Sequence, residues 1–197
     1  MSQYFENDKN VKSEIKLIKA KFENVYFEFY SDNGVFSKDE IDYGSRLLIE
    51  TFIENGGRGK ILDVGGGIGV ISIVLSRLLN SDCTMVEVND RAIDLSNRNI
   101  KTNHLESSVR VIKSDAYENI NDSYDFVITN PPIRAGKQVI YKILFGAFDH
   151  LNENGELWFV MRKNHGVLSA IKDLENENLK CEIVKKDKGF FIIRVIK

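Results

Sequence analysis

The sequence predicts an α/β domain: a mostly parallel, doubly wound sheet with helices on both faces. Three observations carry that prediction. From Lys60 onward, apolar strand-like runs alternate with amphipathic helical ones, the pattern of a buried parallel sheet. A cluster of glycines between Gly65 and Gly69 joins the first such strand to the first such helix. The last two strand-like runs follow one another without a helix, which predicts an antiparallel hairpin at one sheet edge.

Taken in order, residues 15–18 and 25–30 have strand character, and Ser31-Asp32-Asn33-Gly34 is the expected reversal beside them. Residues 41–53 have helical spacing and stop at Gly56-Gly57. We read 1–57 as an N-terminal extension packed on the sheet and 58–197 as the core, within a single domain over 1–197. Within that core, residues 60–64, 83–88, 109–112, 125–129 and 156–161 read as strands with near-continuous apolar character. Residues 70–79, 91–103, 138–150 and 167–176 read as helices, with Ile140, Ile143, Leu144 and Ala147 on one face of the third. The closing strands are 181–185 and 190–196.

The chain has 197 residues, 43% hydrophobic and 28% charged, enough for a real core in one domain. Its formal net charge of -2 rules out a basic surface over the whole chain, so any nucleic-acid contact must come from a local patch. Cys83 and Cys181 lie far apart and form no CxxC pair, which predicts buried free thiols. His104, His150 and His165 lack ligand spacing, and no metal is expected. The amino terminus has no signal-like apolar core and no run has the length of a membrane span, so a cytoplasmic location without a membrane partner is expected.

Asp63-Val64-Gly65-Gly66-Gly67-Ile68-Gly69 raises the question of a ligand, because glycines there permit a sharp turn and close approach to the backbone. Dinucleotide binding wants G-x-G-x-x-G, with the third glycine packing helix on strand. Here Gly65, Gly67 and Gly69 alternate, and Val70 takes the place of that third glycine. A carboxylate at Asp63 would repel a pyrophosphate and suit a cationic group such as an amino-acid ammonium. The spacing therefore favours a nucleoside bearing an amino acid. Glu87, with Val88 beside it, ends the next strand where such folds set a carboxylate against ribose hydroxyls. Asp115, with Ala116, follows the third strand and is expected near an adenine.

Further stretches complete the pattern: Asn33-Gly34-Val35-Phe36-Ser37, Asp42-Tyr43-Gly44-Ser45-Arg46-Leu47-Leu48, Asn130-Pro131-Pro132-Ile133-Arg134-Ala135-Gly136-Lys137, Gly155-Glu156-Leu157-Trp158-Phe159-Val160 and Lys188-Gly189-Phe190. With the glycine loop, these make the chain resemble the class I S-adenosylmethionine-dependent methyltransferases. Among them it is most similar to the methyltransferase small domain family, which includes guanine-N2 methyltransferases of ribosomal RNA. The resemblance covers most of the chain and implies a Rossmann-like seven-stranded sheet with a final antiparallel hairpin. It also implies S-adenosylmethionine as cofactor, with Phe36 and Ser37 helping to close the pocket. Asp63, Gly65, Gly67, Gly69, Glu87, Val88, Asp115, Ala116 and Asn130 are then the expected cofactor contacts. In larger relatives a degenerate copy precedes the catalytic domain, and this chain matches the catalytic half.

Asn130-Pro131-Pro132 uses both prolines of the chain at the end of a buried strand. An exocyclic base amine is a poor nucleophile because its lone pair is delocalised into the ring. Two acceptors aimed at its N–H groups favour the geometry that attack requires, and the Asn130 side-chain oxygen and the Pro131 carbonyl are adjacent candidates. Consecutive prolines fix φ and restrict the preceding residue, so little freedom is lost. The expected catalytic set is Asn130, Pro131, Pro132 and Ile133. Many amino-methyltransferases place an aromatic ring after the prolines to stack on a flipped base; Ile133 cannot stack, and Phe36 or Tyr30 is the candidate substitute. Arg134, Lys137, Arg162 and Lys163 are expected substrate phosphate contacts.

The expected activity is methylation of an exocyclic nucleobase amine, guanine N2 of ribosomal RNA first, with ribosomal RNA or a ribosomal subunit as the partner and a monomer or weak dimer as the working form. The Asn-Pro-Pro arrangement serves adenine N6 or a protein glutamine nearly as well. A non-catalytic, cofactor-binding, RNA-associated module is the alternative of a different class.

Overall fold

A computed structural model describes residues 12–35, 39–55 and 57–197. The chain opens with a hairpin of β1 (Lys16–Phe22) and β2 (Val25–Ser31). Then come α1 (Tyr43–Asn55), β3 (Ile61–Val64), α2 (Val70–Leu79), β4 (Cys83–Glu87), α3 (Asp90–Thr102) and β5 (Val109–Lys113). β6 (Tyr124–Thr129), α4 (Lys137–Gly146), β7 (Leu151–Arg162), α5 (Val167–Asn176), β8 (Lys180–Asp187) and β9 (Phe190–Ile196) complete it. The main sheet has seven strands in the order β5-β4-β3-β6-β7-β9-β8. Strands β5 through β7 run parallel, and β9 joins β7 and β8 antiparallel. This is the sheet the sequence predicts, closing hairpin included.

Why the sheet forms is visible in burial. β3 and β4 are buried at every position because helices cover both faces. α1, α2, α3 and the β1–β2 hairpin contribute to one core cluster, while α4 and α5 contribute to the other. At the outer edge, β8 carries Lys180, Lys185 and Lys186, and charged edges discourage pairing with another chain. Among the described residues no helix is long and apolar enough to cross a membrane, and no group of three or more His, Cys, Asp or Glu could hold a metal ion.

Three local boundaries differ from the sequence reading. The hairpin reverses at Glu23 and Asn24, with Glu23 at φ 50, because Lys19 and Lys21 alternate with buried Ala20 and Phe22 and extend β1. Asn33 and Gly34 form a separate turn after β2. α4 stops at Gly146, and residues 147–149 tighten into a 3-10 turn. β7 begins at Leu151 rather than Glu156, pairing first with Tyr124 before a register shift.

The hairpin is joined to the core by two asparagines four residues apart, Asn99 on α3 and Asn103 at its C-terminal cap. Asn99 Oδ1 accepts from Tyr30 N at 2.6 Å and its Nδ2 donates to Tyr30 O at 3.0 Å. Asn103 repeats the pattern at Glu28, accepting at 3.3 Å and donating at 2.8 Å. Two side-chain amides thus stand in for a third strand along the β2 edge. Asn99 is fully buried and also donates to Ile68 O at 2.9 Å, next to the glycine loop. Asn99→Ala is expected to lower unfolding free energy by roughly 2–3 kcal/mol, since it strands buried backbone groups. Urea denaturation checks this, and a cost below about 0.5 kcal/mol, typical of inert surface positions, would contradict it.

Candidate functional site

The parallel register brings the carboxyl ends of β5, β4, β3, β6 and β7 to one edge. Asp115 follows β5, Glu87 ends β4, Asp63 lies in β3, Asn130 follows β6 and Arg162 ends β7. Phe190 starts β9 opposite Arg162. The strand order reverses between β3 and β6, and doubly wound sheets open their crevice at that point.

The glycine loop is shaped by its neighbours. Gly65, Gly67 and Gly69 have φ of 74, 58 and 90, a region where side chains are strained. Gly65 N and Gly66 N donate to Val86 O at 3.0 and 3.1 Å, which lashes the loop to β4. A Cβ on Gly65 would meet no protein atom within 4 Å, so its bare backbone faces the crevice. The buried Glu87 carboxylate accepts from Gly67 N at 2.9 Å, Val88 N at 2.8 Å and Asn89 N at 2.9 Å. Its first task is therefore to hold the loop and the start of α3, alongside the ribose contact expected from the sequence.

Asp63 is fully buried beneath the loop, and its Oδ2 accepts from Ser72 Oγ at 2.9 Å. Its Oδ1 has no hydrogen-bond partner among the described residues. Burial pushes its carboxyl up to about 7. With no exposed surface, Asp63 cannot meet a ligand's ammonium directly as the sequence suggested; its visible role is to tie the loop to α2. Asp115 is exposed and pairs with Lys142 at 2.9 Å, while Ala116 beside it is buried with φ 50. Phe36 and Ser37 lie outside the described residues. A bare backbone at Gly65 beside the Glu87 carboxylate disfavours a diphosphate and fits the close approach of a nucleoside.

Asn130 is held from two sides. Thr129 Oγ1 donates to Val64 O at 2.7 Å, locking the end of β6 to that of β3. Asn130 Nδ2 donates to Asp42 Oδ2 at 3.0 Å and to Ser45 Oγ at 2.9 Å. Asp42 caps α1: its Oδ2 accepts from Ser45 N at 2.9 Å and its carbonyl from Arg46 N at 3.0 Å. α1 is seated on the sheet by Phe52, whose ring meets Phe126 and Trp158 edge-on, each at 5.2 Å. Pro131 is buried, and Pro132 at φ -72 leads into a 3-10 turn over Ile133–Ala135. Sequence reasoning gave Asp42 and Ser45 no role. The Asp-x-x-Ser spacing at a helix start signals a cap, but not the fold-distant partner it meets.

The basic residues separate into two groups around this centre. Ile133 and Lys137 line a cavity of about 250 Å³ with Ile140, Tyr141, Met161 and His165. Lys137 lies 3.7 Å from Asp173 and over the Tyr141 ring, while Arg134 is exposed. On the other side, Arg162 stands 4.5 Å from the Phe190 ring centre, with Lys163 exposed next to it. Phe190 and Tyr43 lie 5.6 Å apart, and Lys188 covers Tyr43 at 4.4 Å. Tyr43 and Lys188 were not singled out from the sequence. Tyr30 sits instead in the hairpin, its ring covered by Arg98 at 3.4 Å.

Comparisons with known proteins point the same way. The Bacillus subtilis protein YbxB is 42% identical over the whole of both chains. Ribosomal RNA small subunit methyltransferase C of Haemophilus influenzae is 37% identical over 66% of this chain and 40% of its own length. The Vibrio cholerae protein of that name is 32% identical over 81% and 46%. The chain thus spans less than half of these methyltransferases. The T. thermophilus 16S rRNA N2 G1207 methyltransferase RsmC, solved with AdoMet and guanosine, superposes with TM-score 0.84 at 22% identity, over 94% of this chain and 51% of that one. A ribosomal protein L11 methylase from Lactobacillus delbrueckii shares the fold at TM-score 0.69 and 14% identity, over 80% of this chain and 85% of that one. With the methyltransferase small domain model matching residues 26–194 on top of the glycine loop and the oriented Asn130, the chain belongs to the methyltransferase small domain family.

Proposed function

We propose that this protein transfers a methyl group from S-adenosylmethionine to an exocyclic amine of a nucleobase in ribosomal RNA, with guanine N2 as the first candidate. The observation that carries the reading is the side-chain amide of Asn130. Both of its N–H groups point at Asp42 and Ser45, so its oxygen remains to accept from a substrate amine. Bound S-adenosylmethionine supplies an electrophilic methyl on a sulfonium, and the protein's task is in-line placement and exclusion of water. Gly65 and Gly67 give a backbone that a nucleoside can approach, Glu87 and Val88 border its ribose, and Asp115 and Ala116 its base.

The Asn130 oxygen and the Pro131 carbonyl take the amine's N–H groups and favour a tetrahedral nitrogen as it attacks. Ile133 offers apolar contact without stacking. Tyr43 and Phe190, flanked by Arg162 and Lys188, supply ring faces and positive charge suited to nucleotides near the target. Arg134, Lys137 and Lys163 are further phosphate contacts in this reading. Methylation of another amine or amide, such as adenine N6 or a protein glutamine, uses the same acceptors, and the L11 methylase fold neighbour keeps a protein substrate in view.

Two measurements test the reading. Calorimetry should detect binding of S-adenosylmethionine and none of a nicotinamide dinucleotide; the reverse result would sink the cofactor assignment. Nucleoside mass spectrometry of ribosomal RNA from cells lacking the protein should show the loss of one methylated guanosine. Unchanged ribosomal RNA with an undermethylated protein would move the substrate to a side-chain amide.

A further inference from the structure

We propose that Asp42 sets and polarises the Asn130 amide, which makes the capped start of α1 a working part of the transfer site. The inference rests on the methyl-transfer reading above. An asparagine amide can turn over and exchange its oxygen for its nitrogen, and only one of the two faces would let it accept from a substrate amine. At Asn130 the choice is forced. Asp42 Oδ2 is an acceptor only, so it must face Nδ2, and the reversed amide would bring two oxygens together at about the observed 3.0 Å. Ser45 Oγ takes the second N–H at 2.9 Å and closes the arrangement.

The carboxylate does more than orient. An amide that donates to an anion shifts electron density onto its own oxygen and becomes a stronger acceptor, because linked hydrogen bonds reinforce one another. The Asn130 oxygen is the atom that this strengthens. Asp42 itself is rigid, since Ser45 N donates to the same Oδ2 at 2.9 Å. The helix start is pressed against the sheet: a Cβ on Gly44 would lie 2.9 Å from the Phe190 ring and 3.0 Å from Asp42 Oδ2. A residue from the N-terminal segment is thereby fixed against a catalytic one that follows it by 88 positions. Asp42 acts through Asn130 and is a positioning residue.

Asp42 also caps α1, so the test must separate the two roles. Asp42→Ser keeps a good cap but is too short to reach Asn130, whereas Asp42→Asn keeps cap and reach without the charge. For Asp42→Ser we expect an unchanged unfolding midpoint, unchanged cofactor affinity and unchanged KM for RNA, with kcat reduced ~10–100-fold, the loss of a charge-assisted bond. Asp42→Asn should recover part of that rate. In nitrogen-15 spectra, the Asn130 side-chain protons, assigned through Asn130→Ala, should shift in Asp42→Ser. Wild-type kcat in Asp42→Ser, or a rate loss matched by lost stability or cofactor affinity, overturns the proposal. An Asn130 resonance indifferent to Asp42→Ser overturns it whatever the activity. A wild-type protein that shows the coupled resonance yet methylates no RNA overturns the substrate reading instead, and the orientation of the amide stands.

Discussion

Asn130→Ala is expected to slow methyl transfer about 10²–10³-fold, the usual cost of removing one preorganised hydrogen-bonding group at a reacting centre. The variant deletes the acceptor at the end of β6 and leaves the glycine loop, Glu87 and Asp63 untouched, so cofactor affinity should stay close to wild type. Stability should fall only slightly, because Asp42 keeps its bond from Ser45 N at 2.9 Å. Asn130→Asp is a sharper probe of the surroundings. It would set a second carboxylate where Nδ2 now lies 3.0 Å from Asp42 Oδ2, and two like charges at that distance cannot both ionise readily. Single-turnover rates with saturating cofactor, together with calorimetry, check both. An Asn130→Ala enzyme with a near-normal rate would remove the acceptor role and leave Asn-Pro-Pro as a rigid turn.

How much of this was legible in the sequence follows from the reach of each signal. The buried strands and the glycine loop are local patterns, and the sheet follows because parallel strands with both faces covered read as apolar runs. The site edge was legible for the same reason: strand ends and loops are sequence features, and the doubly wound rule assembles them. What escaped depends on partners distant in the chain. Asp42 has no role in the sequence until the fold carries it to Asn130. Asn99 and Asn103 carry no signal of a partner until β2 presents its edge to them. Asp63 showed its identity but not its burial, so a support beneath the loop looked like a ligand contact. Lys19 and Lys21 hid the length of β1 because charged residues on the exposed face obscure an alternating strand.

Asp63 makes stability depend on pH in a direction opposite to that of an ordinary paired carboxylate. Its ionisation is pushed from 3.8 to about 7, chiefly because burial disfavours the charged form; the Ser72 hydrogen bonds oppose this and the charge on Glu87 adds to it. Between those values the folded protein still holds a proton that the unfolded chain has released, so rising pH favours unfolding across that window. Below about 3.8 the group contributes nothing, and above about 7 its penalty is complete, roughly 4 kcal/mol at about 1.4 kcal/mol for each pKa unit. Asp63→Asn removes the titration and adds a constant cost of about 1–3 kcal/mol, because its amide places an unpartnered N–H where Oδ1 now stands. Wild type should therefore be the more stable protein near pH 4, and the gap should narrow and reverse between about pH 4.5 and 6, where the growing penalty on Asp63 overtakes that constant cost, leaving Asp63→Asn the more stable protein near pH 8. Urea unfolding of both proteins in parallel reads this difference while cancelling the titration of every other group. Two curves that stay parallel from pH 5 to 8 would mean that Asp63 ionises in the fold as it does in water, through a partner on Oδ1 that keeps it charged.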